Sequence, residues 1–102
     1  MTTSMPVTQY LKDLGFASII EEIDHLNALA WKQRRSDPHK VLQLAQKSKE
    51  LSFGQKYITG LAYSFRASGV AYLSIAQYQS ALQDLLKSRT FFLEYENYRG
   101  ES

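Results

Sequence analysis

Apolar positions in this chain recur at steps of three and four and nowhere alternate at two, so the pattern predicts helices and no strand. Ile19, Ile20, Ile23, Leu26, Ala30 and Trp31 lay one stripe along a helix over residues 18–35. Ser36-Asp37-Pro38 then punctuates the chain: Asp37 can cap the next helix through its carboxylate, and Pro38 at the first helical position loses no hydrogen bond. That helix is expected to reach about Leu51, with Gly54 ending it. Ile58, Leu61, Ala62, Phe65, Gly69, Tyr72 and Ala76 define a longer helix over residues 55–75, and another starts near Gln77 and runs at least to Phe92. Ahead of them, Ser4, Pro6 and Gly15 bracket a short helix over residues 6–14.

The pattern repeats. Residues 41–51 lie over residues 81–91 with Leu42/Leu82, Gln43/Gln83, Lys47/Lys87 and Ser48/Ser88 identical, and Lys49/Arg89 and Leu51/Phe91 alike in character. The register is forty residues. Leu26, Leu29, Ala30 and Gln33 match the spacing of Phe65, Ser68, Gly69 and Tyr72 in a register one residue shorter. Each unit is thus a helix with a small residue partway along (Ala30 or Gly69), a tight turn and a second helix. Ile58-Thr59-Gly60-Leu61 returns as Tyr98-Arg99-Gly100-Glu101, so the chain reads as the front end of a longer array. A period of this size signals a solenoid, in which each unit buries one face against its neighbours. The expected organisation is an N-terminal helical cap over residues 1–17, two helix-turn-helix units over 18–94, and the start of a third over 95–102.

Ala76-Gln77-Tyr78-Gln79-Ser80-Ala81-Leu82 resembles the Gly-Asp-Tyr-x-x-Ala-Leu turn and helix of tetratricopeptide repeats. Phe65, Gly69, Tyr72, Leu85 and Ser88 fall where that family places its large and small packing residues. The family's usual period is about 34 residues; forty is similar to the longer-helix variant of kinesin light chains and bacterial signalling proteins. Asp37-Pro38 with Leu42-x-x-Ala45, followed by Gly60-Leu61-Ala62-Tyr63, resembles the repeats that precede diguanylate cyclase, adenylate cyclase or histidine kinase domains in bacteria. The sequence departs from the pattern where Ser68 and Ala76 replace the common Leu and Gly, and the first unit lacks the usual Gly and Tyr. The resemblance covers residues 24–102. It implies an all-α, right-handed solenoid of antiparallel hairpins that binds proteins and does not catalyse: the sensory or scaffolding region of a cytoplasmic signalling protein, or a free-standing adaptor.

Composition narrows the chemistry. The 102 residues contain no cysteine, which removes disulfide, zinc-thiolate and thiol chemistry. The N-terminus lacks the basic start and apolar stretch of a signal peptide, and no apolar run approaches the ~20 residues of a membrane span. Net charge is only +2 but unevenly spread. Residues 32–89 hold ten of the twelve Lys and Arg against Asp37, Glu50 and Asp84, whereas residues 1–31 and 90–102 are acidic. Acidic and basic helix surfaces are therefore expected to meet within the array or between protomers. Nucleic acid is a weaker partner for this charge, which is spread around three helices without an aromatic platform. Glu22-x-x-His25 has the spacing of a di-iron helix motif, but neither a second copy nor the further carboxylates such a site needs accompany it. No nucleophile elbow or glycine-rich loop is present, so neither cofactor nor catalytic residue is expected.

In the geometry that the resemblance implies, the first helix of each unit lines the concave surface. Its free face carries Asn27, Trp31, Arg34, Tyr63, Arg66 and Val70. Tyr and Arg anchor interfaces by combining buried area with donors, and a groove holding Arg34 and Arg66 would favour an acidic peptide or a C-terminal carboxylate. The family's carboxylate-clamp pattern of Lys and Asn is absent. The last helix offers more apolar surface than one neighbour can cover, which predicts self-association through residues 78–102, with Leu85, Phe91, Phe92 and Tyr95 as its anchors.

Overall fold

The computed structural model describes residues 18–99. Among them are four helices and no strand: α1 (Ile19–Lys32), α2 (Pro38–Gln55), α3 (Ile58–Ser74) and α4 (Tyr78–Tyr98). The cap expected over residues 1–17 lies outside the described residues. The repeat is visible in the boundaries, since α2 and α4 start forty residues apart and α1 and α3 thirty-nine.

Local chemistry sets the helix ends. Ser18 Oγ accepts from the Glu21 amide at 3.1 Å and Asp37 Oδ1 from the Lys40 amide at 3.2 Å, each satisfying an orphan donor of a first turn. The helix α2 does not stop near Leu51. It passes through Gly54 to Gln55, and the left-handed residue is Lys56, with φ 53°. The Tyr57 amide then bonds the Ser52 carbonyl at 2.9 Å, and the Lys56 amide that of Phe53 at 3.2 Å. The extra turn carries Ser52 into the interface with α3, where it is fully buried. The end of α3 repeats the motif: Ala76 takes φ 62°, and the Gln77 amide bonds the Tyr72 carbonyl at 2.8 Å. Ala76 therefore sits in the left-handed conformation that glycine adopts without a Cβ penalty. The last helix continues past Phe92 to Tyr98, so residues 95–98 belong to it and open no new element.

Each helix packs against its neighbour in sequence, and α1 also packs on α3. The helix α3 is thus central, and its side chains are small where three neighbours converge: Gly60, Ala62, Ser64, Ala67, Ser68, Gly69 and Ala71 are all buried. A Cβ on Gly69 would lie within 2.7 Å of Leu85, and one on Gly60 within 3 Å of Ser52, Tyr57 and Ile23. One core cluster, formed by Ala30, Val41, Ala67 and Ala71, joins α1, α2 and α3, with Trp31, Leu42 and Leu44 against it. Equivalent positions have equivalent burial: Val41 and Ala81 are both fully buried, and Ser48 and Ser88 nearly so. No helix among the described residues is long and apolar enough to cross a membrane.

Candidate protein-interaction groove

Positions 24, 27, 28 and 31 share one face of α1 because they are spaced three, four and seven apart. The same spacing rule puts Tyr63 and Arg66 together on α3. Packing of α1 on α3 brings these faces side by side across a groove of about 470 Å³, lined by Asp24, Asn27, Ala28, Trp31, Tyr57, Tyr63 and Arg66. The groove has a basic, aromatic end and an acidic, hydroxyl end.

At the first end the Arg66 guanidinium lies 3.8 Å from the centroid of the Trp31 ring and 5.0 Å from that of Tyr63. Arg34 lies 4.2 Å from the same indole and donates through Nη1 to the Trp31 carbonyl at 2.8 Å, which closes the end of α1. Stacking on an aromatic face favours a guanidinium in particular, because its planar cation is weakly hydrated. Arg66 is nonetheless incompletely partnered. Its Nε is buried with no hydrogen-bond acceptor in the protein, and the salt bridge found among the described residues, Lys49 to Asp84, does not involve it. Burial pushes its pKa below the ordinary arginine value, the Tyr63 hydroxyl partly counters this, and Arg34 pushes it down further. The guanidinium stays charged at neutral pH all the same.

At the other end the Tyr57 hydroxyl donates to Asp24 Oδ1 at 2.8 Å. Burial holds the Tyr57 pKa above its ordinary value, so the donor is retained at neutral pH.

Among the six residues expected on this surface, Asn27, Trp31, Tyr63 and Arg66 line the groove, and Arg34 lies over the Trp31 ring without lining it. Val70 is half-buried on α3 and is not among the lining residues. Asn27 is spent on the fold: it accepts from Ser48 Oγ at 2.7 Å and donates to the Gly60 carbonyl at 3.1 Å, tying α1 to α2 and α3. Asp24, Ala28 and Tyr57 were missed. The first two share Trp31's helical face and were within reach of the periodicity that picked Asn27, whereas Tyr57 precedes α3 and arrives through the turn. Glu22 is buried and His25 exposed, and no group of three potential metal ligands occurs among the described residues.

The residues expected to mediate self-association are placed differently from the expectation. Leu85 fills the space over Gly69, Phe91 stacks on Phe65 at 5.8 Å, and Phe92 meets Tyr63 edge-on at 5.0 Å. These three attach α4 to α3. Tyr95 is half-buried with Arg99 near its ring. The exposed apolar residues of α4 are instead Tyr78, Leu82, Leu86, Leu93 and Tyr98.

Comparison of the chain with family models, with curated proteins and with solved structures finds no match.

Proposed function

We propose that this chain is a protein-interaction module that takes an acidic segment of a partner protein into the groove between α1 and α3. One observation carries the reading: a charged guanidinium is held between two aromatic rings at a groove wall, with donor capacity unused. A carboxylate is the ordinary complement of such a group, through charge-assisted and often bidentate bonds. Asp24 at the far end would repel a continuous acidic run, so the fitting segment has an isolated carboxylate with amide or cationic groups beside it. The surrounding architecture, in this reading, is a tetratricopeptide-like right-handed stack of two hairpins. The stepwise packing of the helices and the repeated boundaries support that reading. On the same resemblance the module would serve a signalling protein as its sensory or scaffolding part, or act as an adaptor. The groove is read as a binding surface, with no catalytic group assigned to it.

Trp31 is the only tryptophan in the chain, so its fluorescence reports on the groove directly. Titration with a short peptide carrying one Glu should shift or quench the emission, and the Gln analogue should bind about tenfold more weakly, as expected for loss of one charge-assisted pair. Arg66→Ala should remove the difference between the two peptides. Equal responses to both peptides in the parent protein would overturn the reading.

A further inference from the structure

The groove between α1 and α3 has three rungs. Tyr57 bonds Asp24 at 2.8 Å, Asn27 bonds the Gly60 carbonyl at 3.1 Å, and the Arg66 guanidinium lies 3.8 Å from the Trp31 ring centroid. Both chains therefore climb the groove in the same direction, from the Asp24 end to the Arg66 end. The middle rung offers a ligand little. The Asn27 amide is engaged on both sides, giving to Gly60 and accepting from Ser48, and Ala28 beside it is apolar. Recognition falls to the two ends, and these carry opposite charge.

The Asp24 end is built as an acceptor. Its carboxylate is exposed, and the Tyr57 hydroxyl holds Oδ1 in place. Among the described residues no cation pairs with it. An ionised carboxylate only accepts hydrogen bonds, so its ordinary complement is an ammonium or a guanidinium. Seven residues of α1 separate Asp24 from Trp31, about 10 Å along the axis. Three residues of extended chain, at ~3.4 Å each, cover that distance.

We propose that Asp24 is a second recognition point of this groove, selecting a cationic side chain of the same partner segment. The inference rests on the reading of Arg66 as a carboxylate site and extends it. The occupant is then an extended, dipolar segment of a partner protein: its carboxylate meets Arg66, and a Lys or Arg about 10 Å away meets Asp24. Opposite charges at the two ends fix which way the segment lies, because the reversed placement sets carboxylate against Asp24 and cation against Arg66.

Trp31 fluorescence titrations of the intact chain test this, in low-salt buffer where exposed pairs are least screened. The probes are two short glycine-rich peptides with Lys and Glu three residues apart, one in each order, and the tighter binder is taken forward. Replacing its Lys by Gln should weaken binding about threefold, the scale of one exposed ion pair, and replacing its Glu by Gln about tenfold. Asp24→Asn removes the charge but keeps an acceptor for the Tyr57 hydroxyl. It should abolish the Lys/Gln difference and preserve the Glu/Gln difference, and Arg66→Ala should do the reverse. Circular dichroism of each variant separates lost recognition from lost fold. Equal binding of the Lys and Gln peptides by the parent, or a Lys/Gln difference that survives Asp24→Asn, overturns the proposal, and a remaining Glu/Gln difference then leaves the Arg66 site standing. No binding, or no Glu/Gln difference, overturns both.

Discussion

Single side chains on the inner faces of these helices are mostly small, and their polar atoms are mostly satisfied. Ser88 Oγ donates to the Ala62 carbonyl at 2.7 Å, and Ser68 Oγ to Asp84 at 2.6 Å. Ser52 is the exception: its hydroxyl is buried and has no hydrogen-bond partner in the protein. A buried, unpaired hydroxyl costs about 1–3 kcal/mol of desolvation. Ser52→Ala removes that cost and loses only one atom of packing, so it should stabilise the chain by about 1 kcal/mol, read as a higher midpoint in urea at unchanged slope. A lower midpoint would show that the hydroxyl does find an acceptor. The identity of Ser48 and Ser88 was legible in the sequence, but the singular state of Ser52 was not. Nothing in periodicity reports whether a hydroxyl meets a carbonyl on another helix.

Among the elements, α3 decides the packing. Its stripe of Leu61, Phe65 and Tyr72 predicted a helix, and its small residues allow α2 and α4 to approach from different sides. Gly69 was legible as a close-approach position from its repeat partner Ala30, and the structure places Leu85 over it. Gly69→Leu should destabilise by about 1–3 kcal/mol, because overpacking must displace Leu85 from a buried interface. Thermal unfolding measures this, and a variant as stable as the parent would contradict the contact. Gly60 is more tightly enclosed, by Ser52, Tyr57 and Ile23, yet the sequence presented it only as a repeat marker. The end of α2 was misjudged for a related reason. A glycine at position 54 is a local signal for termination, but burial of Ser52 against α3 required one more turn and moved the left-handed residue to Lys56.

For the molecule as a whole, the order of packing predicts an order of stability. The central helix α3 packs against α1, α2 and α4, whereas the backbone of α4 lies close to that of α3 alone and reaches α2 through the Lys49–Asp84 ion pair. Local opening is cheapest where fewest buried contacts are lost. The slowest amide hydrogen exchange should therefore lie between Leu61 and Ala71, and finding it in α1 would sink this order. Periodicity, caps and the repeat settled from the sequence that the chain is helical, where most helices start, and that the units are related by forty residues. These are local properties, fixed by spacing within one helix or by residues three apart at its end. Tertiary structure alone decided which apolar side chains of α4 are spent on α3 and which remain exposed. These side chains have similar hydrophobicity, and only the direction from which α3 arrives distinguishes Leu85 and Phe92 from Leu86 and Leu93. It likewise decided that Asn27 serves the fold while Arg66 keeps an unpartnered donor. Both belong to the same predicted face, and the difference is made by Ser48 and the Gly60 carbonyl, which reach Asn27 from helices α2 and α3 and leave Arg66 to the rings of Trp31 and Tyr63.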